Sequence, residues 1–414
     1  MQDLLEVCCG LDVHKESVVA CLLVGVPEMK PSCEIRTFST MASGLMELKH
    51  WIETTGCRHV AMESTGIYWI PVYERLEDSA VTMDLMVVNA RHMKNVPGRK
   101  TDMRDAEWIA TLLRAGLLRS SFIPEKSIRE LRHLTRYRKS IVQDVTAQKN
   151  RIEKLLQSIG FRLSVFLSDA FGTSGRNVMR YLIAHGSIDR DAMDQCLKKQ
   201  ARHKLNDVLT SVNGTMSGHQ QQFLSMMLEH LDQLEAHQRQ IEAEIAKAAS
   251  QFHGAMSVLI SIPGISHTAA SSILAEIGPN MDCFATSEHL CSWAGMSPGN
   301  NESAGKRKST TINHGNPYVK SMLCEVAWVI AGKRNTYLSS WYWRLKQRKG
   351  AKKAIVALGR KLLVIIFAML NNGTLFDESC FEQQRKHCEQ RRVARMLSEL
   401  GRLGYDVTPP AVIV

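Results

Sequence analysis

Val7-Cys8-Cys9-Gly10-Leu11-Asp12-Val13, then His14-Lys15-Glu16-Ser17, then Val18-Val19-Ala20-Cys21-Leu22-Leu23-Val24 sets the architecture of the first part of the chain. Two apolar, β-prone runs joined by a short turning segment read as strand, tight connection, strand. Downstream, Glu34–Ser39 supplies a third strand, and Ser43–Thr54 has helical spacing with Leu45, Leu48 and Trp51 on one face. His59–Glu63 is a further strand, Tyr68–Asp78 a helix, and Asp84–Asn89 a strand leading to a helix that runs through Ala115. The order βββαβαβα predicts an α/β region, a mixed sheet with helices packed on it.

The last of these helices opens on Lys100-Thr101-Asp102-Met103-Arg104-Asp105. Positions i and i+3 share a helical face with Cβ atoms roughly 5–6 Å apart, so Asp102 and Asp105 can aim at one cation. Alone, such a pair fits a solvated surface equally well. Upstream, however, Asp12 and Glu63 sit where two strands end. Four carboxylates around one point would repel one another and hold protons unless divalent cations neutralised them. Magnesium or manganese, which prefer oxygen ligands, are the natural occupants. Two such ions roughly 3.5–4 Å apart stabilise both the attacking and leaving oxygens of an in-line phosphoryl displacement. Arg91, His92, Lys94, Arg99 and Lys100, with Pro97-Gly98, form a basic loop just before this helix. It is suited to holding phosphates, although a solvated loop would look the same.

The 414 residues allow two or three domains with sizeable cores, and 52 Lys and Arg against 41 Asp and Glu leave a net charge of +11. That excess makes a polyanion the expected partner. No stretch reaches the roughly 18 uninterrupted apolar residues of a membrane span. Leu362–Leu370 reads as a buried helix preceded by Arg360 and Lys361, and Met1-Gln2-Asp3-Leu4 lacks the basic start of a signal peptide. Eleven cysteines without a Cys-x-x-Cys pair point to free thiols in a reducing cytoplasm. Cys283, His289 and Cys291 lack the second half of a zinc site.

The middle of the chain is helical. Leu131, Leu134, Ile141, Val145, Ile152, Leu155 and Ile159 recur in a three-four rhythm interrupted by Arg138 and Gln148. A second rhythm runs through Leu224, Met227, Leu231, Leu234, Ile241, Ile245 and Ala248 and is broken by Gln238. Heptads this long predict coiled-coil or long-helix packing, within one chain or between subunits, and polar seam residues favour a role in subunit assembly. Gly160–His203 is less regular and reads as a small helical insertion. Farther on, Ile262-Pro263-Gly264 before His267–Ile277 reads as a helix-hairpin-helix, whose turn can present backbone N–H groups to a phosphate. A plain helical turn is the alternative.

Ser303 lies in Asn300-Asn301-Glu302-Ser303-Ala304-Gly305-Lys306-Arg307-Lys308. A serine in a glycine-containing, cation-rich loop is suited to attack on a phosphodiester, the cations stabilising charge as it develops. Most such serines are merely solvated. Beyond it, Lys346, Arg348, Lys349, Lys352, Lys353, Arg360 and Lys361 place seven cations in sixteen residues without an acid, an electrostatic footprint for a nucleic-acid backbone. Trp341, Tyr342 and Trp343 before it suit base stacking or core packing. Gly373 should end a helix, and Arg385–Arg402 is a basic helical tail.

Gly10-Leu11-Asp12-Val13-His14-Lys15, Met62-Glu63-Ser64-Thr65-Gly66 and Lys100-Thr101-Asp102-Met103-Arg104-Asp105-Ala106 resemble, in order, the three acidic motifs of the DEDD transposases of the insertion-sequence one-ten family. That family includes an eleven-eleven subgroup and the related Piv invertases. The run from Trp293 through Ser303-Ala304-Gly305 to Asn316-Pro317-Tyr318-Val319-Lys320 is similar to the family's transposase domain, with Ala304 standing before Gly305 where Ser-Gly is commoner. The resemblance covers roughly Val7–Gly373, apart from the irregular middle insertion. It implies a RuvC-like domain of RNase H fold at 1–125, a coiled-coil or helical linker at 126–250 with the insertion near 160–203, a transposase domain at 251–373 and a basic tail at 374–414.

It further implies a cytoplasmic, homodimeric or homotetrameric DNA recombinase in which Asp12, Glu63, Asp102 and Asp105 hold magnesium or manganese and Ser303 is the nucleophile. Donor and target DNA, and a structured bridge RNA that guides the reaction, are the implied partners. Arg91, Lys94, Arg99, Lys100, Lys306, Arg307, Lys308, Lys346, Arg348, Lys349, Lys352 and Lys353 are the expected nucleic-acid contacts. Two rival readings stay open at this stage. One is a RuvC-like Holliday-junction endonuclease using metal-activated water, and the other a non-catalytic nucleic-acid-binding protein.

Overall fold

The computed structural model describes residues 4–64, 66–89, 105–299, 301–303, 306–309, 311–312, 314–333 and 336–405. It divides into two units, Met1–Ile123 and Pro124–Val414. The chain is mostly helical with one small mixed sheet.

In the first unit the elements are β1 (Val7–Val13), β2 (Ser17–Val24), β3 (Ser32–Ser39), α1 (Ala42–Thr54), β4 (His59–Glu63), α2 (Trp69–Glu77), β5 (Asp84–Val88) and α3 (Asp105–Arg114). Strand order is β3-β2-β1-β4-β5. β2 pairs antiparallel with both β1 and β3, whereas β1, β4 and β5 run parallel. The expected element order therefore stands, with boundaries moved by one or two residues. β3 begins at Ser32 rather than Glu34 because its ladder with β2 continues to Val24 opposite Ser32, whose Oγ also donates to the Val24 carbonyl at 3.0 Å.

Continuous apolar runs in β1 and β2 follow from burial on both faces. Cys9, Leu11 and Val13 pack with Leu45, Leu48, Trp51 and Ile52 of α1 and with Val72 and Leu76 of α2. Cys8, on the other face, packs with Ala106, Ile109 and Ala110 of α3. Gly10 makes this second layer possible. A Cβ there would lie 2.3 Å from the Ala106 carbonyl oxygen and 2.4 Å from the Ala110 nitrogen, both rigid helical backbone. Gly10→Ala is expected to lift α3 off the strand and destabilise the protein by about 3 kcal/mol, the upper range for overpacking. Urea denaturation of the full chain measures it; an unchanged midpoint would mean that α3 can retreat freely.

The second unit contains α4 (Lys126–Ser158), α5 (Leu163–Phe166), α6 (Thr173–His185), α7 (Arg190–Cys196), α8 (Leu205–Ser211), α9 (Gly218–Ala249), α10 (His253–Ile260), α11 (His267–Ile277) and α12 (Ser287–Trp293). A hairpin of β6 (Asn301–Ser303) and β7 (Lys306–Ser309) follows, then α13 (Pro317–Gly332), α14 (Tyr337–Lys349), α15 (Ala351–Asn372) and α16 (Glu382–Arg402).

α4 and α9 are the two heptad helices, and they pack against each other within one chain. Leu131, Ile141, Val145 and Ile152 of the first rhythm and Leu224, Leu231 and Ile245 of the second are buried. The polar interruptions find partners inside the chain. Gln148, 4% exposed, donates its amide to the Met227 carbonyl at 2.8 Å. Arg138 and Gln238 both donate to Glu242, at 2.8 and 3.0 Å. The insertion runs past His203, since Val208 and Val212 join Met179, Leu182 and Met193 in the core formed with α4 and α9.

The Pro263-Gly264 turn does join two helices, with Gly264 at φ 111°. A Cβ at Gly264 would lie 2.8 Å from Ile330 Cγ1, so the turn packs onto α13. α15 extends well beyond the Leu362–Leu370 expected from sequence and ends at Gly373 in the left-handed region. It is long and apolar enough, by length and composition, to cross a membrane. Its Leu358, Leu362 and Ile366 are fully buried, however, and it packs on α12, α13 and α14, as a core helix does.

Candidate active site

In the first unit two of the expected acids lie near the C-terminal ends of adjacent central strands. In the parallel ladder of β1 and β4, Leu11 lies level with Met62. One step on come Asp12 and Glu63, on neighbouring strands that run roughly 4.8 Å apart. Side chains alternate along a strand, so Asp12 shares a face with Gly10, and Glu63 shares one with Ala61. That is the face covered by α3, whose first residue is Asp105 and whose second, Ala106, touches Gly10. The Asp12 side chain is 15% exposed, and His14 Nε2 lies 3.1 Å from its Oδ2. Asp105 also sits in the first turn of a helix, where the macrodipole favours negative charge.

Three of the four expected acids thus come from a strand interior, a strand end and a helix start. Asp102 lies outside the described residues, as do Arg91, Lys94, Arg99 and Lys100. Among the described residues, no group of three or more His, Cys, Asp or Glu is placed to hold a metal ion. The donor chemistry of Asp12, Glu63 and Asp105 is nonetheless uniform: carboxylate oxygens, the ligands of magnesium and manganese.

Ser303, expected in a loop, ends one strand of a hairpin. It stands opposite Lys306, with Glu302 opposite Arg307 and a register shift between Asn301 and Glu302. The side chains of Ser303, Lys306, Arg307 and Lys308 lie outside the described residues. Pro298 bridges to Ile312, and the Gly299 N–H donates to the Thr311 carbonyl at 2.9 Å, which continues the hairpin toward its root. At that root a Cβ on Gly315 would come within 2.2 Å of the Gly295 nitrogen, so the two backbones touch.

The basic run divides in two. Arg348, Lys349, Lys352 and Lys353 are exposed at the junction of α14 and α15, which Gly350 turns at φ 79°. The Lys346 ammonium sits 4.1 Å over the Trp343 ring. Lys361 instead turns inward, donating to the Tyr337 hydroxyl at 3.0 Å and lying over the Trp341 ring, and Arg360 is half-buried. Lys361 therefore serves internal packing. Of the three aromatics, Tyr342 is core at 1% exposed and Trp343 is half-exposed. Replacing Arg348, Lys349, Lys352 and Lys353 together with Gln is expected to weaken DNA binding and flatten its salt dependence by roughly one unit per lost phosphate contact. Fluorescence anisotropy across a salt series reads this; an unchanged slope would remove this surface from the binding face.

Sequence reasoning missed Gly10 as a helix contact, His14 as a partner of Asp12, and a buried acid, Glu276, that binds Asn316. The available signal for the last was a single charge inside the otherwise uncharged Ala269–Ile277 run, because a buried acid needs partners.

Two family models match the chain. One described as a transposase of the IS110 DEDD type covers residues 9–161, and one described as a transposase of the IS116/IS110/IS902 family covers 256–344. The insertion element IS110 uncharacterized 43.6 kDa protein of Streptomyces coelicolor is 27% identical over 309 residues, 68% of this chain and 73% of the relative. The transposase for insertion sequence element IS1111A of Coxiella burnetii is 24% identical over 76% of this chain and 78% of its own length. The pilin gene-inverting protein of Moraxella bovis is 30% identical over 129 residues, 30% of this chain and 40% of that protein.

Proposed function

We propose, for a chain that belongs to the IS110 family of DEDD transposases and is therefore a DNA-cutting and DNA-rejoining enzyme, a site-specific serine recombination mechanism with an acidic metal site. The observation that carries the acidic half is the β1/β4 register, which sets Asp12 beside Glu63 on the face where α3 begins with Asp105. We read the sheet as RNase H-like, with Asp102 completing the set. Asp12, Glu63, Asp102 and Asp105 would hold magnesium or manganese, which would stabilise charge on the phosphoryl oxygens.

Ser303 is the nucleophile in this reading. Its Oγ forms a bond to phosphorus as the bond from phosphorus to a DNA oxygen breaks; the serine loses its proton and the departing oxygen gains one. One phosphodiester replaces another, so the reverse attack rejoins DNA without an external energy source. Lys306, Arg307 and Lys308 neutralise the phosphate, and Arg91, Lys94, Arg99, Lys100, Arg348, Lys349, Lys352 and Lys353 hold the nucleic-acid backbone. The expected four-part division stands within this reading, as do the helix-hairpin-helix turn and the cytoplasmic, nucleoid-associated setting. So do a homodimer or homotetramer and a structured bridge RNA guiding donor and target choice.

Recombination between donor and target DNA, with the element's flanking RNA and magnesium, tests this on denaturing gels scored for protein-linked DNA. Linked DNA that depends on Ser303 supports the proposal. Free nicked product that survives Ser303→Ala but requires Asp12 would make the protein a metal-dependent junction nuclease instead.

A further inference from the structure

Glu276 is 2% exposed near the end of α11. A carboxylate this deep requires partners that replace water. Arg136 supplies two, Nε to Oε1 and a terminal guanidinium nitrogen to Oε2, both at 2.8 Å. Arg132 lies 3.5 Å from Oε2 and caps the helix end by donating to the Ala275 and Glu276 carbonyls at 2.9 and 2.8 Å. The third hydrogen bond to the carboxylate comes from Asn316, whose amide reaches Glu276 Oε2 at 2.5 Å.

Asn316 stands where the returning arm of the Ser303 hairpin enters α13. Its side-chain oxygen accepts from the Tyr318 and Val319 N–H groups at 2.9 and 3.3 Å, capping that helix. Its own N–H donates to the Trp293 carbonyl at 3.2 Å, closing the root of the hairpin next to the Gly315–Gly295 contact. The same side of α13 is tied to α4 a second time, with Arg136 4.3 Å over the Tyr318 ring and Lys139 donating to the Ser321 hydroxyl at 2.5 Å. The cap uses the Asn316 oxygen alone. The amide group is left to do something a serine or aspartate cap could not, which is to bind Glu276.

We infer that Glu276 and Asn316 are positioning residues for the Ser303 hairpin, the carboxylate locking the hairpin root to Arg132 and Arg136 of α4. This rests on the reading of Ser303 as nucleophile. Through the lock, the long α4/α9 pair sets the register in which the hairpin tip meets a phosphodiester.

The test uses the full-length protein and three variants. Asn316→Asp keeps a cap oxygen, loses the donor and opposes two carboxylates. Asn316→Ser caps without added charge and serves if the first fails to fold. Glu276→Gln combined with Asn316→Asp restores one N–H to oxygen bond with the roles exchanged and the net charge conserved. Hydrogen exchange at Gly299, whose N–H is held by the hairpin, is compared with exchange in α11, and protein-linked DNA is measured per bound complex. Both single variants at Asn316 are expected to speed Gly299 exchange and to lower linked DNA by roughly tenfold or more, the scale of one charge-assisted hydrogen bond. Exchange in α11 and DNA binding should hold, and the double variant should recover both losses in part. Unchanged Gly299 exchange overturns the inference, as does acceleration throughout the unit or a loss of linked DNA that the double variant leaves uncorrected. If wild type forms no Ser303-dependent link, the nucleophile reading falls by itself, and the exchange measurement still decides whether Glu276 and Asn316 hold the hairpin.

Discussion

Ser303→Ala is expected to eliminate protein-linked DNA, a loss on the order of a thousandfold or more, because removing a nucleophile leaves the remaining site with binding and charge stabilisation alone. The substitution removes one oxygen near the tip of a two-stranded hairpin whose pairing is backbone to backbone. Stability and DNA affinity should therefore change little, which separates a chemical role from a structural one. Quantifying linked DNA on denaturing gels beside binding isotherms and thermal denaturation checks both halves. Persistent linkage in the variant would move the nucleophile elsewhere; persistent cleavage without linkage would favour attack by water at the acidic site.

Asp12→Asn should lower recombination by more than the roughly 10–100-fold typical of groups behind metal ligands. The replacement keeps the shape of the side chain and the β1–β2 ladder, where residue 12 pairs with Val19 through the backbone. It removes one negative charge from the site that, in the proposed reading, also includes Glu63 and Asp105. A second readout follows from that charge. Without divalent ions the variant should be at least as stable as wild type, since like-charge repulsion is relieved. With magnesium, wild type should gain stability by mass action and the variant should gain less. Thermal denaturation across a magnesium titration measures this. Equal gains in both proteins would place the ion away from Asp12.

Much of the first unit could be read residue by residue. Strands β1, β2 and β4 are continuous apolar runs because both sheet faces are covered, and α1 shows its buried Leu45, Leu48 and Trp51 at helical spacing. The acidic motifs were visible as short local patterns. The seam helices were equally readable, but not their use: Gln148 and Arg138 look like register-setting residues for another subunit, and they are satisfied by Met227 and Glu242 of the same chain. The seven-cation run was read as one surface, yet Lys361 is folded back onto Tyr337.

Helical and strand periodicity, turn glycines and the order of the acidic motifs are encoded in neighbouring residues, so the linear chain settles the elements and the family to which they belong. Which residues meet across the fold is a matter of register and close approach. Asp12 comes to Glu63 because Leu11 aligns with Met62 in a parallel pair separated by some fifty residues, and α3 reaches them because Gly10 has no side chain. The Glu276 carboxylate takes three hydrogen bonds, two from Arg136 of α4 and one from Asn316 at the head of α13, and no local pattern predicts that convergence. A buried charge is stable only when distant donors arrive together, and that condition is met by tertiary packing alone.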